Sequence, residues 1–122
     1  MRNASHARRI LIVDDYPESA RTLAKLLNLR GFETCTAADG VEAVRAAEQF
    51  RPDVALLDLG LPKADGYETC RRIRRHAWGK KIRVLALTGR DRDEDRKQTA
   101  AAGFNGHLVK PIDLADLEPM LN

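Results

Sequence analysis

The stretch Ile10-Leu11-Ile12-Val13-Asp14-Asp15 sets four consecutive apolar residues, three of them β-branched, directly before two carboxylates. A run with no polar alternation fits a strand covered on both faces, as in a parallel sheet lying between helices. Two later stretches repeat the form. Val54-Ala55-Leu56-Leu57 runs into Asp58, and Val84-Leu85-Ala86-Leu87 ends at Thr88. His107-Leu108-Val109 is shorter and precedes Lys110. Phe32 to Ala37, with Glu33, Thr34 and Thr36, is mixed and suits an edge strand.

Helical patterns fill the intervals. Pro17 suits a first helical turn, Ala20, Leu23, Ala24 and Leu27 follow at helical spacing, and Gly31 is a stop. Asp39-Gly40-Val41-Glu42 and Asp65-Gly66-Tyr67-Glu68 each place an acceptor at an N-cap and a carboxylate three residues later, a variant of the capping box. They open helices of about ten residues by typical helix length, with Val41, Val44 and Ala47 on the apolar face of one and Cys70, Ile73 and Ala77 on that of the other. A polar helix is expected from near Asp93 to Ala102, ended by Gly103, and Asp113 caps a last helix carrying Leu114, Leu117 and Leu121. Strand and helix alternate five times, which predicts an α/β fold with a parallel sheet and helices on both faces.

The 122 residues fit one domain and can bury a core without disulfides or metals. With 43% hydrophobic and 32% charged residues the composition is globular, not disordered. The 21 Lys+Arg against 18 Asp+Glu make a mild formal +3, which argues for neither a membrane surface nor nucleic acid as partner. Apolar runs reach only four residues, and Met1 to Arg9 has no signal-peptide form. Cys35 and Cys70 lack metal or redox spacing and read as reduced packing thiols of a cytoplasmic protein. Residues 1–8 read as a short N-terminal extension and 9–122 as the domain. The basic run from Arg71 to Arg83 reads first as a solvated helix face, with docking on an acidic partner or nucleic acid as the other reading.

In doubly wound sheets ligands bind at the carboxyl ends of the strands, where the strand order reverses. Asp14, Asp15, Asp58, Thr88 and Lys110 all fall at that end. Three carboxylates close together repel unless a proton or a cation sits among them. An all-oxygen set favours Mg²⁺, with Mn²⁺ or Ca²⁺ as other options. A lysine and a hydroxyl beside it suit a phosphoryl group. No glycine-rich nucleotide loop is present. A carboxylate can itself be the nucleophile, and Asp58 is the best placed.

These stretches, with Leu59-Gly60-Leu61-Pro62-Lys63-Ala64-Asp65-Gly66, Leu87-Thr88-Gly89 and Leu108-Val109-Lys110-Pro111, make the chain resemble the receiver domain of bacterial two-component response regulators, similar to the chemotaxis regulator. The resemblance runs from about Arg9 to Leu121. It implies a flavodoxin-like doubly wound sheet of five parallel strands in the order 2-1-3-4-5. It also implies that Asp58 accepts a phosphoryl group from the phosphohistidine of a sensor histidine kinase or a histidine phosphotransfer protein. Mg²⁺, or Mn²⁺, would be held by Asp15, Asp58 and the carbonyl of Gly60, with Asp14 acting through a metal-bound water. Lys110 would pair with the phosphoryl oxygens, Thr88 would swing to them, and the Lys110-Pro111 bond is expected to be cis. His107 stands where the family usually has Tyr or Phe turning inward with Thr88, and Arg90 occupies a position thought to tune phosphoryl lifetime. The output surface is expected on the polar helix 93–102 with the last strand and last helix. Two other functions compete. One is a Mg²⁺-dependent phosphatase with an Asp nucleophile, which needs an acid where Gly60 stands. The other is an interaction module without phosphorylation, which would not need all five site residues.

Overall fold

The computed structural model describes residues 8–61, 65–89 and 93–121, with backbone alone for residues 93–95. Arg90 and the Pro62-Lys63-Ala64 part of the resemblance lie outside the described residues. The chain runs β1 (Arg9–Val13), α1 (Pro17–Leu29), β2 (Glu33–Ala37), α2 (Gly40–Phe50), β3 (Val54–Asp58), α3 (Gly66–Arg75), a single 3-10 turn (Ala77–Gly79), β4 (Arg83–Thr88), α4 (Asp93–Ala102), β5 (Gly106–Val109) and α5 (Leu114–Leu121). The five strands form one sheet in the order β2-β1-β3-β4-β5, and every pairing is parallel. The chain thus winds outward from β1 in both directions, and the order reverses between β1 and β3.

Alternate residues of each strand face opposite sides of the sheet. Leu11, Val13, Ala55, Leu57, Val84 and Ala86 pack with Ala43 and Ala47 of α2, Cys70 and Ile73 of α3 and Ala102 of α4. Ile10, Ile12, Leu56, Leu85 and Leu87 pack with Ala20 and Leu27 of α1 and Leu117 and Leu121 of α5. The unbroken apolar runs are needed because both faces are covered.

The local signals act as expected. The Asp39 side chain accepts from Glu42 N at 2.8 Å while Glu42 returns to Ala38 N, and Asp65 accepts from Glu68 N at 2.9 Å. Asp65 is therefore a helix cap. Pro17 opens α1, and Gly31 (φ 94°) and Gly103 (φ 104°) close α1 and α4 in the left-handed region that glycine enters freely. Asp113 accepts from Ala115 N at the start of α5. Cys35 and Cys70 are free thiols, and burial pushes Cys70 up to about 11 against the opposing pull of Arg74 and Arg71. That thiol is a packing group.

Three expectations need correction. Ala77 is not on α3: the helix stops at Arg75 because His76 turns to extended backbone (ψ 145°), and Ala77 begins the 3-10 turn. Val41 is exposed, while Gly40 and Ala43 of the same turn are buried. The basic run is not one solvated face. Arg71, Arg72 and Arg75 surround Glu68, and the Arg72 bond at 3.1 Å holds its carboxyl below the usual range. Arg74 turns inward and donates to the carbonyls of Gly79 (2.7 Å), Ile82 (2.5 Å) and Gly103 (2.9 Å) and to Asn105 Oδ1 (2.7 Å). It ties α3 to the start of β4 and to the turn before β5.

Candidate functional site

The parallel sheet delivers the carboxyl ends of β1, β3, β4 and β5 to one edge. Asp14 follows β1, is only 7% exposed, and accepts from Tyr16 N at 2.9 Å through Oδ1. Its own N–H donates to Ala37 O of the edge strand. Asp15 is exposed beside it. Asp58, the last residue of β3, lies opposite across the switch point.

Both carboxylate oxygens of Asp58 are engaged. Oδ1 accepts from Gly60 N at 2.9 Å, and Oδ2 accepts from Lys110 Nζ at 2.5 Å. The same ammonium is 3.9 Å from Asp14 Oδ2. One oxygen from each of Asp14, Asp15 and Asp58 lies within 4.8 Å of the others. Lys110 cannot neutralise three carboxylates alone, so the cluster is built to attract a cation. Three hard oxygen donors facing one space fit Mg²⁺ or Mn²⁺ and do not fit a thiophilic metal.

Thr88 ends β4 and is 7% exposed. Its carbonyl accepts from Lys110 N at 2.8 Å, and Leu59 N donates to Leu87 O at 3.0 Å. The end of β4 is therefore laced to the backbone after β3 on one side and after β5 on the other. The Lys110-Pro111 peptide is cis, as the resemblance implied. His107 is half-buried in β5 opposite Ala86, and lines a hollow of about 360 Å³ with Arg96, Thr99, Phe104 and Met120.

Gly66 was legible as the residue after a cap and as the last residue of the Leu59–Gly66 stretch of the resemblance. A Cβ there would lie 2.7 Å from the carbonyl oxygen of Asp58 and 2.7 Å from Leu59 Cα. Its N–H donates to Leu59 O at 3.2 Å. The start of α3 thus presses on the backbone that aims Asp58, and a side chain at position 66 would displace it. The only sequence signal for this was the choice of glycine where the helix itself would prefer any other residue.

The family model described as the response regulator receiver domain matches residues 10–122. The chain belongs to the response regulator receiver domain family. Among its relatives, the DNA-binding dual master transcriptional regulator RpaA of Synechocystis is 37% identical over 109 residues, which cover 89% of this chain and 45% of that protein. The transcriptional regulatory protein PrrA of Mycobacterium tuberculosis is 39% identical over 109 residues, 89% of this chain and 46% of that protein. The receiver domain therefore spans about half the length of the curated relatives it matches. Among solved structures, the chemotaxis protein CheY4 of Vibrio cholerae has a TM-score of 0.89 at 32% identity, covering 94% of this chain and 96% of its own. The receiver domain of the Pseudomonas aeruginosa sensor histidine kinase PA1611 has a TM-score of 0.85 at 36% identity, covers 94% of each chain, and was solved with a magnesium ion coordinated in its active site cleft. Receiver domains are switches in two-component signalling that take their phosphate from histidine kinases, rather than turnover catalysts. Among the described residues, no helix is long and apolar enough to cross a membrane.

The acidic cluster of this receiver domain makes a direct stability prediction. Asp14→Asn keeps an oxygen for Tyr16 N and removes one of three clustered negative charges. The metal-free protein is expected to gain about 1 kcal/mol, a trade typical of functional sites, while the midpoint increase produced by Mg²⁺ shrinks. Thermal unfolding with and without Mg²⁺ reads both. A destabilised variant with an undiminished Mg²⁺ response contradicts the repulsion argument.

Proposed function

We propose that this receiver domain accepts a phosphoryl group on Asp58 from the phosphohistidine of a sensor histidine kinase or histidine phosphotransfer protein, and that the aspartyl phosphate switches the surface formed by α4, β5 and α5. The observation that carries this is the close Lys110–Asp58 contact beside the three-carboxylate cluster. An oxygen of Asp58 attacks phosphorus, the bond from phosphorus to the donor imidazole nitrogen breaks, and that nitrogen leaves with the electron pair. When bound, Mg²⁺ or Mn²⁺ would supply positive charge for the phosphoryl oxygens. Asp15, Asp58 and the Gly60 carbonyl would hold the ion, with Asp14 beside them acting through water. Lys110 moves from the Asp58 carboxylate to the phosphoryl oxygens as charge builds there. The Gly60 N–H, now on Asp58 Oδ1, keeps that carboxylate oriented. The donor reaches Asp58 past a cleft of about 440 Å³ that runs from Asp14 and Lys110 along Tyr16, Ser19 and Leu23 of the α1 side.

After transfer the Thr88 hydroxyl turns to the phosphoryl group, and His107 follows into the space behind it. α4 is cheap to shift, since Thr99 and Ala102 are its buried residues among those described. Hydrolysis by water ends the signal slowly, with the same residues around the phosphorus. Downstream, the α4-β5-α5 face meets a protein target. The phosphatase alternative fails on Gly60, which has no side chain to protonate a leaving group.

The test is incubation with a small phosphodonor and Mg²⁺, followed by intact mass measurement. One added phosphoryl group is expected, lost in base as an acyl phosphate is, and none when the metal is chelated. An unchanged mass with Mg²⁺ present refutes the proposal.

A further inference from the structure

The parallel sheet separates charge. Its carboxyl end carries Asp14, Asp15 and Asp58, while its amino end is basic. A hollow of about 380 Å³ at that amino end is lined by Arg8, Arg51, Lys81 and Arg83, with Trp78 and the single carboxylate Asp53. Asp53 is already engaged, since its Oδ2 accepts from Arg9 N at 2.9 Å. A second hollow of about 350 Å³ adjoins the first. It lies between α2 and α3 and is lined by Val41, Val44, Arg45, Arg72, Arg75 and His76, with Glu68 paired to Arg72 and Arg75 beside it. The two meet where His76 stacks on Trp78, with ring centroids 4.7 Å apart and planes 10° from parallel. The result is a continuous basic band from the C-terminal end of α3 to the start of β1. It lies roughly 15 Å from Asp58, the length of β3 at about 3.3 Å per residue.

We propose that this band binds the phosphate backbone of duplex nucleic acid without reading its sequence. Three features favour that occupant. First, six arginines line the band, and their forked donors match phosphate oxygens. Second, protein partners need apolar anchors at the centre of an interface, and this band offers few. Of the exposed large hydrophobic residues described, only Val41 borders it. Phosphate contacts need none. Third, the indole of Trp78 is engaged. His76 stacks on Trp78 and the Arg51 guanidinium lies 5.5 Å over it, so the indole is not offered to an unstacked base. That favours duplex over single strand.

Arg45 and Lys81 are exposed, and no described hydrogen bond or ion pair uses them, so charge reversal there spares the fold. The experiment is fluorescence anisotropy of a labelled mixed-sequence DNA duplex titrated with the protein at several salt concentrations. Binding is expected at low salt, falling linearly on a log–log plot against salt. Arg45→Glu with Lys81→Glu is expected to weaken it on the order of tenfold or more at low salt and to lower the slope by about two, at roughly 0.9 per lost phosphate contact. Arg45→Gln with Lys81→Gln, gentler to the fold, is expected to lower the slope equally. Arg21→Glu with Lys25→Glu makes the same net charge change on α1 and is expected to leave the slope unchanged. Absence of binding at low salt overturns the proposal, as does an equal loss in the α1 variant. Tighter binding of the single strand overturns it too. So does displacement of the duplex by poly-glutamate as effective per charge as displacement by unlabelled duplex, which assigns the band to an acidic protein surface.

Discussion

Asp58→Asn is expected to abolish phosphoryl incorporation from a small phosphodonor, with no residual base-labile mass. The substitution removes the nucleophile and leaves the surroundings almost unchanged. The Asn oxygen can still accept from Gly60 N, which now donates to Asp58 Oδ1 at 2.9 Å. Lys110 loses its 2.5 Å partner but retains Asp14, 3.9 Å away in the present structure. One negative charge also leaves a cluster of three. These effects oppose each other, so stability should change by no more than about 1 kcal/mol, within the range of mild substitutions. The variant is therefore expected to be folded and inert. Intact mass reads the loss and thermal unfolding reads the fold. Undiminished labelling of a folded Asp58→Asn protein would move the acceptor elsewhere in the cluster.

The largest stability effect is expected far from the acidic cluster, at Gly79. A Cβ built there lies 1.8 Å from the carbonyl oxygen of Ile73, 2.7 Å from its carbonyl carbon and 2.9 Å from its Cγ2. No rotamer relieves a clash between a Cβ and backbone. Ile73 is fully buried on α3, and its carbonyl accepts from His76 N at 3.2 Å, so it has nowhere to go. The 3-10 turn would have to lift off the helix end, and the Arg74 bonds to the carbonyls of Gly79 and Ile82 would stretch with it. Gly79→Ala is expected to cost about 3 kcal/mol or more, at the upper end of overpacking effects. That lowers the melting temperature by roughly 10 °C for a domain of this size. Gly89→Ala is the control, because among the described residues nothing lies within 4 Å of a Cβ at that exposed position. It is expected to stay within about 0.5 kcal/mol of the parent, as surface changes usually do. Equal midpoints for the two variants in thermal or urea unfolding would refute the clash argument.

Gly79 and Arg74 show where local pattern stops being informative. Both sit in a basic, weakly patterned stretch, and nothing in their sequence neighbours marks them. Arg74 looks like Arg71, Arg72 and Arg75 in a list of letters. Its guanidinium is distinguished by carbonyls from Gly79, Ile82 and Gly103, brought to it by the ends of three elements. Ala77 failed for a related reason. Helical spacing from Ile73 was correct, but the helix end is set by the turn packed beneath it, not by the period. Gly66 was half legible: the cap at Asp65 was visible, whereas the approach of α3 to the Asp58 carbonyl was not.

The sequence by itself determined the order of strands and helices along the chain, most of their caps and stops, though not the end of α3, and the end of the sheet where Asp14, Asp15, Asp58, Thr88 and Lys110 gather. These follow from local chemistry: apolar runs that need cover on both faces, side-chain acceptors at helix starts, and glycines in left-handed turns. Right-handed winding of strand and helix units then places all strand ends on one edge. The tertiary structure alone decided the contacts between groups distant in the chain. Lys110 reaches Asp58 across 52 positions, Arg74 reaches Gly103 across 29, and the basic residues just before β1, in the α2–β3 connection and at the start of β4 collect at the opposite pole. Such contacts depend on register and packing distance, which no single segment encodes, because each exists only once two or more elements have been fixed against the same sheet.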